Sequence, residues 1–250
     1  MASAIHAAGS QSLTIPVGDA VLDGDLSVPE GAFGAVIFAH GSGSSRHSRR
    51  NKFVARVLRH AGIATLLMDL LTREEEMIDA ETAHLRFDID LLARRLVEAS
   101  RFVVNQPQTL NLPVGLFGAS TGGGAALVSA AHAAHQVAAV VSRGGRPDLA
   151  GDALPRVKAP TLLIVGGDDG AVIDMNREAY DQLTCPKRME IVPGAGHLFE
   201  EPGKLEIVAA LARDWFDAHL HAGKGGAMYC GDGVINGHEG FEHPAPGVRH

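Results

Sequence analysis

One stretch constrains this chain more than any other: Val114-Gly-Leu-Phe-Gly-Ala-Ser-Thr-Gly-Gly-Gly124. Its apolar opening reads as a buried strand. The run breaks into Gly118-Ala-Ser120-Thr-Gly122, and small apolar residues from Ala125 to Ala134 read as a helix. A serine between strand and helix, with glycine two residues to either side, requires a turn so tight that flanking side chains would collide. That turn lifts the hydroxyl above the edge of a sheet. The helix starts at the serine, so its free N–H groups and positive dipole end favour negative charge developing there. The pentapeptide alone also describes an ordinary Gly-rich turn, so the surrounding chain has to decide.

The rest of the chain alternates strands with helices. Ser12 to Val17 and Val21 to Val28 alternate apolar and polar residues around Gly18-Asp19, the pattern of an antiparallel hairpin. Ala35 to Ala39, Ala64 to Met68, Val137 to Val141 and Thr161 to Val165 are continuous apolar runs, as strands covered on both faces require. Lys187 to Val192 reads as the last strand. Phe53, Val54, Val57, Leu58 and Ala61 sit at helical spacing before a Gly62 stop, and Leu85, Ile89, Leu92, Leu96, Ala99 and Val103 mark one face of a long helix. Val172 to Leu183 and Leu205 to Leu220 complete the helices, while Asp69 to Ala83 reads as an acidic, irregular surface excursion.

Such alternation implies right-handed crossovers and an α/β fold. The expectation is a mostly parallel sheet of about eight strands with helices on both faces. Pro147 and Pro155 interrupt the segment between Val141 and Thr161, leaving room for a short helix and loops but for no sizeable cap domain. Residues 1–221 form one domain on this reading. Residues 222–250, Gly-rich with Pro244 and Pro246, form a tail expected to be flexible.

Composition excludes several classes. A net charge of −7, with basic residues scattered apart from Arg46 to Lys52, argues against nucleic-acid and membrane partners. Two cysteines, Cys185 and Cys230, are too few for a disulfide framework. Cys230 with His238 and His243 lacks paired ligand spacing, so no metal site and no cofactor are expected. The first residues show no basic-then-apolar leader and no apolar run reaches membrane-spanning length, which makes the cytoplasm the expected location.

In open α/β sheets functional residues gather at the carboxyl ends of strands. Three further strand ends carry suitable chemistry, in the order nucleophile, acid, histidine. Val165-Gly-Gly-Asp-Asp-Gly170 offers Asp168 and Asp169, and Pro193-Gly-Ala-Gly-His197 offers His197 as general base. His40-Gly-Ser-Gly-Ser44 follows the Ala35–Ala39 strand, where an oxyanion donor belongs. The backbone N–H groups of Thr121 and Ser42 are the two expected donors, with His40 shaping the loop. Arg143, just past the Val137–Val141 strand, is positioned to grip a substrate carboxylate or to pair structurally with Asp148 or Asp152.

With these motifs the chain resembles the α/β-hydrolase superfamily, and within it the dienelactone-hydrolase-like proteins. The resemblance runs from about Thr14 to Leu220. It rests on His40-Gly-Ser-Gly-Ser-Ser-Arg-His47, Gly118-Ala-Ser-Thr-Gly122, Ser142-Arg-Gly-Gly-Arg-Pro147, Gly166-Gly-Asp-Asp-Gly-Ala-Val172 and Gly194-Ala-Gly-His197. The family's acid turn, Gly-x-x-Asp-x-x-Val, implies Asp169 as the acid and leaves Asp168 facing solvent. Dienelactone hydrolases proper carry cysteine at the elbow, so Ser120 implies generic ester chemistry. An aspartate nucleophile is excluded by the same position. Such domains also occur fused to, or encoded beside, phosphoribosyltransferases.

The resulting expectation is a cofactor-free serine hydrolase acting on a small-molecule ester or lactone through an acyl-enzyme on Ser120, with acyl groups of about two to four carbons preferred. An acyltransferase or perhydrolase with the same triad is the alternative within the class. A non-catalytic ligand-binding module of the same fold is the alternative outside it.

Overall fold

In the computed structural model, which describes residues 10–221, the predicted hairpin opens the sheet. Strands β1 (Ser10–Val17) and β2 (Ala20–Ser27) pair antiparallel, with Val17 opposite Ala20. The remaining strands are β3 (Gly34–Ala39), β4 (Ile63–Met68), β5 (Val114–Ala119), β6 (Val137–Arg143), β7 (Thr161–Gly166) and β8 (Lys187–Val192). They form one sheet in the order β1-β2-β4-β3-β5-β6-β7-β8. β2 meets β4 antiparallel, and β4 to β8 run parallel through β3 and β5. This is the α/β-hydrolase fold, with no large cap region.

The continuous apolar runs are explained by a core on each side of the sheet. Ile37 on β3 points into the layer of α3 (Ile89–Val104), α4 (Thr121–His132) and α5 (Gly170–Gln182). Its neighbours Val36 and Phe38 point to the opposite layer, built on α1 (Arg49–His60) and α6 (Lys204–Leu220). Phe38, Phe117 and Phe216 are fully buried in that second layer. Each contributes about 1.5–3 kcal/mol by leaving water. Strand alternation, which polar residues would expose, is therefore hidden in a pattern that is apolar on both faces.

Two segments differ from the sequence expectation. The Asp69–Ala83 excursion is not irregular: it contains α2 (Arg73–Thr82). Thr72 and Glu75 form a reciprocal capping box, which satisfies orphan N–H groups that a short acidic helix would otherwise expose. The long helix does not begin at Leu85. A 3-10 turn over Leu85–Phe87 precedes Asp88, whose carboxylate caps α3 by accepting the Leu91 N–H at 2.9 Å. Between β6 and β7 the chain forms only short 3-10 turns over Pro147–Arg156, broken by Gly151 at φ 44°. The tail over 222–250, with Cys230, His238 and His243, lies outside the described residues. No described helix is long and apolar enough to cross a membrane.

The strand order reverses between β3 and β5, since β4 lies to one side of β3 and β5, β6, β7 and β8 to the other. A crevice opens outside the carboxyl ends of strands at such a switch point. The loops after β3 and β5 face each other across it.

Candidate active site

Ser120 stands between β5 and α4 at φ 51°, ψ −123°, a left-handed conformation that an L-residue adopts only when its surroundings impose it. The surroundings are close backbone. A Cβ at position 118 would lie 2.4 Å from the Gly122 carbonyl oxygen, and one at position 122 would lie 2.3 Å from that of Ala39. The exit of β6 holds the serine from both sides: the Ser120 N–H donates to the Arg143 carbonyl at 3.3 Å, and the Arg146 N–H donates to the Ser120 carbonyl at 3.0 Å.

Asp169 and His197 come together from the loops after β7 and β8. Asp169 Oδ2 lies 2.7 Å from His197 Nδ1. The loop that presents them is stitched by backbone bonds, with the Gly167 N–H on the Val192 carbonyl at 2.8 Å and the Asp168 N–H on the Ala195 carbonyl at 3.0 Å. The Asp168 residue itself is exposed. With Nδ1 protonated and bonded to Asp169, Nε2 is left as the proton acceptor. Ser120 and His197 line one cavity of about 250 Å³, and no hydrogen bond joins their side chains among the described residues.

The loop after β3 is braced by His40. Its Nδ1–H donates to the Gly41 carbonyl at 2.9 Å, and its Nε2 accepts the Leu70 N–H at 3.2 Å, an arrangement that requires the neutral ring. Burial pushes the His40 pKa below the ordinary histidine value, against the opposing pull of the Gly41 carbonyl and Asp69. Of the two expected oxyanion donors, the Ser42 N–H donates to Thr121 Oγ1 at 2.9 Å. Thr121 opens α4, so its own N–H precedes the intrahelical ladder.

A second cavity of about 530 Å³ shares Gly41, Ser42, Ser44 and Ser48 with the first and is walled by Glu76 and Asp79 of α2, by Leu70 and Leu71 before it, by Arg86 after it and by Leu92 of α3. Two ion pairs support that wall. Arg86 Nε donates to Asp79 Oδ2 at 2.5 Å, and Arg95 grips Glu75 through both terminal nitrogens at 2.6 and 2.7 Å.

Arg143 lines the smaller cavity, but neither expected carboxylate reaches it. Asp148 is taken by Arg146, which grips it at 2.9 and 2.7 Å, and Asp152 is exposed. Arg143 instead lies 5.8 Å from the centre of the Phe199 ring. Burial, with Arg50 adding like-charge repulsion, pushes its pKa down to about 10. The structural pairing with Asp148 or Asp152 is thereby corrected: two residues of separation let Asp148 fold back on Arg146, out of reach of the strand residue.

Sequence reasoning missed Arg50, which also lines this cavity and bonds Glu200 at 2.6 Å. It also missed Asn176 of α5, whose Nδ2 donates to the Gly145 carbonyl at 3.0 Å and so ties α5 to the turn after β6. An asparagine within a helix, on the turn above Val172, was the available signal. Cys185 is a buried free thiol.

Comparison with known proteins agrees with this fold. The profile of the dienelactone hydrolase family matches residues 22–221. A crystal structure described as a dienelactone hydrolase from Anabaena variabilis is 60% identical, with a TM-score of 0.84 over 86% of this chain and all of that one. A serine hydrolase without lid from Xanthomonas campestris shares the fold at 20% identity and a TM-score of 0.65, over 84% of this chain and 95% of its own. Two proteins of Mycobacterium tuberculosis, provisionally named phosphoribosyl transferases, are 57% identical over 210 residues. That match covers 84% of this chain and 46% of theirs, so the chain spans about half the length of these relatives. The elbow, the fold without a large cap and the match over 22–221 together place the chain in the dienelactone hydrolase family.

Proposed function

We propose that this protein is a serine hydrolase cleaving small carboxylic esters or lactones. The observation that carries the reading is the His197–Asp169 contact of 2.7 Å on the rim of the cavity that also holds Ser120. Ser120 Oγ attacks the carbonyl while His197 Nε2 takes its proton, and Asp169 holds the imidazole in the required tautomer and stabilises its cationic form. The oxyanion forms between the N–H of Thr121 at the start of α4 and that of Ser42 in the loop after β3. His197 then returns the proton to the leaving alcohol, and water hydrolyses the acyl-enzyme by the same steps. Arg143 serves as a substrate contact on this reading.

The transferase name of the longer relatives applies to chains about twice this span, and the present segment is the one that matches the dienelactone hydrolase family. Labelling with a fluorophosphonate probe tests the proposal. The wild-type protein should label stoichiometrically and Ser120→Ala should not. A wild-type protein that stays unlabelled is a binding module and sinks the reading. A labelled protein that gives product only with an added alcohol or peroxide is an acyltransferase or perhydrolase.

A further inference from the structure

The turn that carries His197 ends on a residue in an unfavourable conformation. Phe199 has φ 56°, in the left-handed region, and is 1% exposed. A bulky L-residue is rare there, where glycine or asparagine would sit with less strain. The Phe199 N–H closes the turn by donating to the Gly196 carbonyl at 3.2 Å, which leaves His197 and Leu198 at its apex. The Gly196 N–H donates to the Glu201 carboxylate at 3.0 Å. Both backbone groups of Gly196 are thus tied to residues beyond the histidine, and the chain between His197 and Phe199 has little freedom.

The Phe199 ring shares the α1–α6 layer of the core with Ala195, Val208 and Phe216. Its edge rests on Gly144, where an added Cβ would come 3.4 Å from Cε2. The same Cβ would stand 3.0 Å from the His197 carbonyl oxygen and 3.6 Å from Nδ1. Gly144 is therefore a seat shared by the Phe199 ring and by both the backbone and the imidazole of His197. It is itself fixed to β7, since its N–H donates to the Ile164 carbonyl at 2.7 Å. Arg143 before it and Arg146 after it hold Ser120 through their backbone groups. One strand exit thus supports the elbow serine and the histidine alike. Packing of an aromatic ring requires no left-handed backbone, so burial alone leaves the conformation of Phe199 unexplained. Strain of this kind persists where the surroundings over-determine it, and it gathers at sites whose geometry matters.

We propose that Phe199 is a positioning residue for His197: its ring, seated on Gly144, holds the strained turn closed and so sets where the imidazole stands relative to Ser120 and Asp169. That His197 acts as general base rests on the hydrolase reading above; the seating of its ring does not.

Two measurements on the full chain test this. The first reads kcat and KM for nitrophenyl acetate in two variants. Phe199→Leu keeps an apolar side chain without the ring, and Gly144→Ala keeps the ring but sets a methyl group against His197. Each should lower kcat about 10–100-fold, the cost of a displacement near 1 Å, with KM changed less than about threefold. A Phe199→Leu enzyme whose kcat stays within about twofold of wild type overturns the proposal. The second follows the ring nitrogens of His197 by NMR in the Ser120→Ala protein, at a pH where the imidazole is neutral, and requires no turnover. Their signals are assigned by their loss in His197→Gln. A ring held by Asp169 keeps its proton on Nδ1, so the two nitrogens should resonate far apart. Adding Phe199→Leu should draw them together as the second tautomer becomes populated. Nitrogen shifts that stay in place overturn the seating of the ring, whatever the fate of the hydrolase reading. Should Phe199→Leu fail to fold, Gly144→Ala is read by the same two criteria.

Discussion

Thr121 Oγ1 accepts the backbone N–H of Ser42 at 2.9 Å, which joins through one side chain the two positions expected to donate to the oxyanion. The hydroxyl has two opposed effects. It competes for an N–H that the reaction needs, and it holds the loop after β3 at the distance from which that N–H can act. A neutral hydrogen bond contributes about 0.5–1.5 kcal/mol, whereas a positioned oxyanion donor is worth about 2.7–4 kcal/mol of barrier. Positioning should therefore dominate. Thr121→Val is expected to lower kcat about 10–100-fold with little change in KM, and Thr121→Ser to remain close to wild type. A Thr121→Val enzyme faster than wild type would mean that the hydroxyl acts as a competitor.

The acid turn separates two neighbouring aspartates. Asp169 sits against His197 Nδ1 at 2.7 Å, and Asp168 is exposed. Asp169→Asn should fold normally and lose about 10³–10⁴ in kcat, because an amide favours the wrong imidazole tautomer. Asp168→Asn should change kcat less than about tenfold, since an exposed charge acts only through a screened field. Steady-state kinetics on the two variants would expose an error in the register if the losses were exchanged.

His40 couples the same region to pH. Its folded pKa is lowered, chiefly by burial, so over a window extending down from about 6.5 the unfolded chain binds the proton more readily. Stability is thus fully present above that value and is lost as pH falls below it. His219, also lowered by burial, acts in the same direction. Melting temperature should fall between pH 7 and pH 5 in the wild type. His40→Gln, which keeps an acceptor for the Leu70 N–H, should fall less steeply. Parallel melting curves for the two proteins would remove His40 from the account.

The strands and the order of the site residues were legible because each rests on a local rule. A strand buried on both faces must be continuously apolar, and the elbow must carry small residues where Gly118 and Gly122 face backbone. Helix α2 follows no such rule. Its apolar residues Met77 and Ile78 point to solvent, at 66% and 51% exposure, so the 3.6-residue period that marks a packed helix is missing. Polar contacts hold it instead, among them the Thr72–Glu75 capping box. The pairing of Arg143 was illegible for a different reason. Which carboxylate reaches a guanidinium depends on where a turn sends it, and Asp148 turns toward Arg146.

Acyl length should follow the wall that α2, the segment before it and α3 build together. The 530 Å³ cavity presents Leu70, Leu71 and Leu92 as its apolar surface, while serines, Glu76, Asp79 and Arg86 supply much of the rest. Glu76 is exposed, so the polar part of this wall stays in contact with water. A methylene gains about 0.8 kcal/mol only where it meets apolar surface, so the gain should stop after about two to four carbons. Nitrophenyl esters of increasing chain length should show kcat/KM levelling or falling beyond that point. A steady rise to eight carbons or more would contradict it.

The last prediction concerns what keeps that wall upright. Glu75 closes the capping box by accepting the Thr72 N–H at 2.8 Å, and its two oxygens also receive Arg95, whose side chain is almost wholly buried. Arg95 further donates to the Leu70 carbonyl at 2.7 Å, so one carboxylate anchors both α2 and the strand exit beneath it. The hydrogen bonds from Arg95 hold the Glu75 pKa below the usual carboxylate value, against the cost of burial. The pair therefore stabilises the fold above the unfolded value near 4.5 and loses this contribution as pH falls through the folded one. Breaking a buried pair by removing one partner costs about 3–5 kcal/mol. Glu75 keeps about a quarter of its side chain in water, so a discounted loss of about 1–3 kcal/mol is expected for Glu75→Gln. That corresponds to a fall of roughly 2–10 °C in melting temperature at pH 7. The deficit should shrink at pH 4, where the wild-type carboxylate also begins to protonate. Because α2 walls the larger cavity, the same variant should flatten the dependence of kcat/KM on acyl length. A variant with unchanged melting temperature and an unchanged chain-length profile would show that α2 is held by contacts other than this pair.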